Sequence, residues 1–294
     1  MDYQESFIAY LQYEKRDSSH TVTAYRKDLS QFAQFCAERS GAFDPGSVDR
    51  KLVRDWVVSL MEAGLTPRSV RRKISTLKSY YRFLMKMGHL ESTPVTDIPL
   101  PKVRKKLPVF VEEPRLNHLL DDGFFGSDFP GIRDKLVITL LYGTGIRLSE
   151  LLSLPVARVD LDQCQIKVEG KRNKERIIPF PRSMKGQIRE YLECREALTG
   201  SGEGMLVVTD KGVPAYGKLI YRIVRNYLTR VTLAEKRSPH VLRHTYATHL
   251  LNKGADLNAV KELLGHANLA ATEVYTHTTF EKLHGVYRQA HPRG

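Results

Sequence analysis

The chain has 294 residues, room for about two domains, and with 41% apolar residues it can bury real cores. Its net charge of +13 and pI near 9.6 point to a polyanionic partner such as nucleic acid, against the plainer reading of a merely basic soluble protein. Three distant cysteines (Cys36, Cys164, Cys194) build neither a disulfide framework nor a zinc site, the start MDYQESFIAYLQYEK lacks a signal-peptide pattern, and no apolar run of about 18 occurs, so the expectation is cytoplasmic, without membrane insertion.

Residues 1–98 read as all helix. A second helix follows Ser18/Ser19, with Val22, Tyr25, Leu29, Phe32 and Cys36 at helical spacing. A third runs from about Val48 to Ala63 and stops at Gly64. The fourth has Thr66 as its cap, Pro67 in its first turn and Gly88 at its end. Its apolar stripe is Val70, Ile74, Leu77, Tyr81 and Leu84. The other face carries Arg68, Arg71, Arg72, Ser75, Lys78, Ser79 and Arg82, with no acid between Arg68 and Leu90. Solvated helices usually mix signs through i,i+4 pairs, so this face suits a phosphate backbone, with an ordinary solvated face as the alternative.

Residues 99–111 combine three prolines with Lys102, Arg104, Lys105 and Lys106, and read as an extended basic linker. Of the net +13, residues 1–100 hold +3, residues 101–111 hold +4 and the remainder +6, so the linker is the most densely basic piece. The second domain is expected over 112–294. Helices are predicted at 113–121 and 131–142, followed by a Gly143-Thr144-Gly145 turn, Arg147 and a short helix, Leu148–Leu154. A β-rich insert follows: Val159–Leu161, Gln165–Val168 and Arg176–Phe180, the last two a hairpin turning near Arg172–Asn173 with Lys171 on the turn. Helices resume at 183–198 and 216–235. Ser238 and Pro239 then open a helix carrying Val241, Leu242, Tyr246, Leu250 and Leu251, which Gly254 closes. A second amphipathic segment (Leu257, Val260, Leu263, Leu264) ends at Gly265-His266, and Phe280–Ala290 forms a helical tail.

His240 and Arg243 are three apart and share a helix face; His266 and Tyr275 follow in the same stretch. Two imidazoles, a guanidinium and a phenol suit phosphate chemistry without a metal. A phosphodiester in transfer develops charge on its non-bridging oxygens. Fixed guanidinium forks there stabilise the transition state, and losing one donor typically costs about 10²–10³ in rate. Arg147 and Arg243 are candidates, each also readable as a salt-bridge residue. Lys171 could donate a proton to a leaving oxygen, or be a solvated turn lysine. Tyr275, one of 14 tyrosines, could form a covalent phosphoester that conserves bond energy, or simply pack. His240 and His244 lack the glutamate of HExxH and a third ligand. Neither a phosphate-cradling nucleotide loop nor the paired carboxylates of a two-metal nuclease is present.

The chain resembles the tyrosine site-specific recombinases of the phage integrase family, most closely the Xer type. The matching pieces are TGIRLSELLSL around Arg147, GKRNKER around Lys171, PHVLRHTYATHLL with His240 and Arg243, LGH at His266 and YTH at Tyr275, spaced 24 (Arg147 to Lys171), 23 (Arg243 to His266) and 9 (on to Tyr275). The opening helices resemble the core-binding domain, and the ending VYRQAHPR resembles the Xer tail, slightly nearer XerC than XerD. The resemblance implies a mainly α, two-domain DNA clamp. An N-terminal helical core-binding domain (1–98) and a basic linker (99–111) would precede a C-terminal helical catalytic domain (112–294) with a small antiparallel sheet.

It further implies that Tyr275 attacks the scissile phosphate to give a 3′-phosphotyrosyl link. Arg147 and Arg243 hold the non-bridging oxygens, His240 and His266 assist, and Lys171 protonates the 5′-oxygen. Strand exchange then runs through a Holliday junction, with neither metal nor other cofactor. The implied partners are a double-stranded recombination site, a homo- or hetero-tetramer with a paralogue spanning two sites, and a translocase of the FtsK type. The implied role is resolution of chromosome dimers at segregation. Arg172 departs from the glycine common after the lysine. The alternatives are a mobile-element integrase and a catalytically silent DNA-binding clamp.

Overall fold

The computed structural model describes residues 2–103, 109–121, 123–170 and 175–265. It divides into two compact units, at residues 106 and 107. The described residues of the first form four helices: α1 (Tyr3–Ala9, continuing as a π-helical turn over Tyr10–Glu14), α2 (Ser19–Ser40), α3 (Arg50–Glu62) and α4 (Pro67–Lys86). Each starts on a side-chain cap: Asp2, Ser18, Asp49 and Thr66 all accept backbone N–H groups of the first turn. Such caps are typically worth about 1 kcal/mol each. The stripe expected on α4 is buried, and Tyr80 and Phe83 join it against Phe7, Phe32 and Trp56.

One polar cluster sits inside this helical packing. Asp28 of α2, 1% exposed, accepts from both Nη atoms of Arg72, from Lys73 Nζ and from Thr76 Oγ1, all on α4. The acid-free run along α4 therefore has a counter-charge after all, supplied from the neighbouring helix. Arg68, Arg71, Lys78 and Arg82 are exposed on α4 and no ion pair is formed by them among the described residues. Arg72 is different, because its fork is engaged by Asp28, and Lys73 is buried.

The second unit is built around α6 (Phe129–Thr144), which is apolar nearly all round and buried from Leu136 to Thr144. It packs against α8 (Met184–Thr199), α9 (Gly217–Val231) and α10 (Pro239–Asn252), while α5 (Glu113–Asp121) lies on α9. α6 begins two residues earlier than the periodicity predicts because Asp128 caps it and Pro130 suits its first turn. α9 ends at Val231 rather than 235. Ser238 occupies the cap position of α10, but its side chain makes no capping bond, and Leu251 is partly exposed rather than core.

The predicted β-insert is an antiparallel sheet of β1 (Val159–Asp160), β2 (Gln165–Glu169) and β3 (Glu175–Pro179), in that order. Ile166 pairs with Ile178 and Val168 with Arg176. Alternation places Ile166, Val168, Arg176 and Ile178 on the buried face, so an arginine takes an inward position. Two short helices complete the site: α7 (Leu148–Leu152) and α11 (Leu257–Leu263). No helix among the described residues is long and apolar enough to cross a membrane.

Candidate active site

α6 runs to Thr144, and Gly145 then turns the chain with φ +60°. A Cβ on Gly145 would lie 2.5 Å from Cδ1 of Tyr246 and 3.0 Å from Leu264, so backbone and ring meet where only glycine fits. Two residues on, Arg147 takes the cap position of α7. Its own N–H donates to Glu150 Oε2 at 2.8 Å, and its Nη1 donates to Glu150 Oε1 at 2.8 Å. The family-like string GIRLSE therefore folds back on itself: the glutamate three residues after the arginine holds both its backbone and its fork.

Glu150 is 3% exposed and also takes both Nη groups of Arg176, with Nη2 to Oε2 at 2.9 Å. Burial alone would raise its pKa; hydrogen bonds and charge from Arg176 and Arg147 outweigh this and hold the carboxyl below its usual range. Arg176 Nε donates to the Leu263 carbonyl at 3.3 Å, joining the sheet to the end of α11. Arg147 Nη2 donates to the Gly265 carbonyl at 2.5 Å. Gly265 also has positive φ (+61°), and a Cβ there would press on Arg176 Cδ at 3.2 Å and Arg147 Nη1 at 3.4 Å.

Arg243, on α10, reaches the same turn. Its Nη1 donates to the Gly145 carbonyl and its Nη2 to the Leu264 carbonyl at 2.5 Å. Burial, then the charges of Arg147 and Arg176, push its pKa down to about 10, so it stays cationic at neutral pH. Two guanidinium groups thus hold one carboxylate and a third, buried, binds the adjoining turn, leaving a formal +2 in a partly dehydrated setting. An anion entering there gains more than it would at an exposed lysine, because the local dielectric is low.

The predicted residues are thereby sorted. Arg147 and Arg243 are brought together through Gly145 and the Leu264–Gly265 turn. His240 is exposed on the first turn of α10. Lys171, His266 and Tyr275 lie outside the described residues, as do Arg104, Lys105, Lys106, Arg172 and the tail 280–290; Lys102 is exposed. Lys171 belongs to the connection between β2 and β3, and His266 directly follows Gly265.

Glu150 and Arg176 were absent from the sequence-based set. The signals for them were Glu150 at the third position of a helix begun by Arg147, and a charged residue at an inward strand position. A second basic surface was also unforeseen: Lys218, Tyr221, Arg222, Arg225 and Asn226 of α9, with Arg237, line a cleft of about 540 Å³.

Comparison with known proteins agrees with this construction. Residues 111–282 match the model of the phage integrase family, and residues 5–88 match the phage integrase N-terminal SAM-like domain. "Tyrosine recombinase XerC" of Chlorobaculum tepidum is 40% identical over 313 residues, covering 98% of this chain and 93% of the relative. The protein of that name from Oceanobacillus iheyensis is 40% identical over 295 residues, covering 99% and 96%. Among solved structures, the Tn1549 transposon integrase in complex with transposon right-end DNA is similar in fold (TM-score 0.73, 19% identity, 97% of this chain and 99% of that one). With both parts of the chain matched and near-full-length relatives at this identity, the chain belongs to the phage integrase family of tyrosine recombinases.

Proposed function

We propose that the chain is a site-specific DNA recombinase that cuts and rejoins strands through a 3′-phosphotyrosyl intermediate, in the manner of the Xer proteins. The carrying observation is the Arg147–Glu150–Arg176–Arg243 network, a rigid excess of positive charge on a turn that leads straight to His266. In this reading the Tyr275 oxygen attacks the scissile phosphorus as the bond to the 5′-oxygen breaks. Arg147 and Arg243 stabilise the charge on the non-bridging oxygens, and His240 and His266 assist. Lys171 supplies the proton that the departing 5′-oxygen takes up. A 5′-hydroxyl from a partner duplex then attacks the phosphotyrosine, restoring the phenol and sealing the strand. The energy of the broken phosphodiester is kept in the ester throughout.

The exposed cations of α4, with Lys102, Arg104, Lys105 and Lys106, would hold the duplex backbone from the first unit and linker, and the α9 surface would do so from the second. The relatives named XerC favour chromosome dimer resolution over mobile-element integration. In the same reading, carried by the resemblance to the Xer recombinases, the chain assembles as a homo- or hetero-tetramer on two sites in the cytoplasm, triggered by a translocase of the FtsK type. An engaged pair of arginines argues against a silent clamp.

A nicked duplex containing a site enriched from a random library tests the chemistry. The wild-type chain is expected to become covalently attached to DNA and to survive detergent. Arg243→Ala is expected to bind the duplex but attach at least about 10² times more slowly. Attachment by Arg243→Ala at the wild-type rate would contradict the assignment.

A further inference from the structure

The α2–α4 face contains one arginine held unlike its neighbours. Asp28 lies buried beneath the surface and grips Arg72 end-on, with Nη1 on Oδ2 and Nη2 on Oδ1, the latter at 2.9 Å. The Arg72 side chain is nonetheless 50% exposed. A guanidinium has five N–H donors; two are on Asp28, which leaves three, among them the side-by-side edge formed by Nε and Nη2. No other partner for that fork occurs among the described residues. Lys73 and Thr76 hold the same carboxylate from below, so Asp28 cannot turn away. Arg72 opens onto a cleft of about 500 Å³ shared with Lys27, Gln31, Gln34 and Ser69.

Arg68 and Arg71 have no such support, and a loosely held cation suits a phosphate, which can be met from many directions. A fork fixed by a buried acid has given up its rotamer freedom and presents two parallel donors in one direction. That is the requirement for guanine, whose O6 and N7 accept side by side in the major groove. We infer that Arg72, positioned by Asp28, is a specificity-determining residue that reads a guanine in the recombination site, rather than one more backbone contact. The inference rests on the DNA-recombinase reading above.

The test is selection of bound duplexes from a randomised 40-base-pair library by the full-length chain, with binding to the enriched sequence and its single-base variants measured at fixed salt. The wild type should enrich a motif containing a guanine. Arg72→Lys, which keeps the charge but loses the fork, should reduce the preference for guanine at one base pair by about 10- to 100-fold while the rest of the motif persists. Asp28→Asn should weaken the preference at that same base pair. Arg68→Ala should lower affinity for all sequences alike. If Arg72→Lys leaves the motif intact, or weakens every sequence equally, the inference is overturned whether or not Asp28→Asn folds. If the wild type itself enriches no motif, the site-specific DNA reading fails, and the inference with it.

Discussion

Gly145 and Gly265 contribute no side-chain chemistry, yet the arginines depend on them, because each lets a carbonyl come within reach of a guanidinium. The two kinds of positive-φ glycine in this chain separate the cost of backbone strain from the cost of crowding. Gly254 has φ +85° and open space around the place a Cβ would take, whereas Gly145 meets the Tyr246 ring at 2.5 Å. Gly254→Ala should therefore destabilise by only about 1 kcal/mol. Gly145→Ala adds overpacking and should cost about 2–4 kcal/mol in all. Denaturant midpoints measure both, and equal losses would contradict the crowding argument. At this scale Arg147 and Arg243 were legible in the sequence because their neighbours form a family-like string. Arg176 was not, because a lone charge in an apolar strand looks like an outward-facing residue until register shows otherwise. The Asp28 grip on Arg72 was hidden for a related reason: 44 residues separate the partners, and periodicity within one helix says nothing about the charge on the next.

At the scale of elements, helix starts were readable from capping residues and proline, as for α2 and α4, whereas ends that depend on packing, such as that of α9, were not. The α4 and α9 surfaces make a common prediction. If Arg68, Arg71 and Lys78 each neutralise one phosphate, replacing all three with alanine should reduce the slope of log affinity against log salt by roughly 0.9 per contact. Replacing Lys218, Arg222 and Arg225 should act similarly, and an unchanged slope would return that helix to the role of a solvated surface. The α6–α10 junction makes a different prediction. His249 is buried on α10 with its Nδ1 2.9 Å from the Tyr142 hydroxyl, and burial lowers its pKa. The unfolded chain then binds a proton more readily than the folded one, so this residue's contribution is complete above the unfolded value near 6.5 and is lost as pH falls below it. Melting temperature should drop between pH 7.5 and 5.5, and His249→Gln should make that drop smaller. An equal drop in both proteins would exclude His249 as a source.

For the whole molecule, the fold class was legible because long periodic helices and a short β-insert leave few architectures, and two cores of the expected kind are present. What links fold to function is the shared turn at residues 263–265 at the end of α11, whose backbone carbonyls accept from Arg176 of the sheet, Arg147 at the start of α7 and Arg243 of α10. The chain continues from that turn into His266 and, nine residues further, Tyr275. The measurement that tests the account most directly is peptide mapping of the protein trapped on a nicked duplex. It should find a nucleoside 3′-phosphate joined to the Tyr275 oxygen, with no trapping by Tyr275→Phe. A nucleotide joined to any other residue, or trapping that persists in Tyr275→Phe, would contradict it.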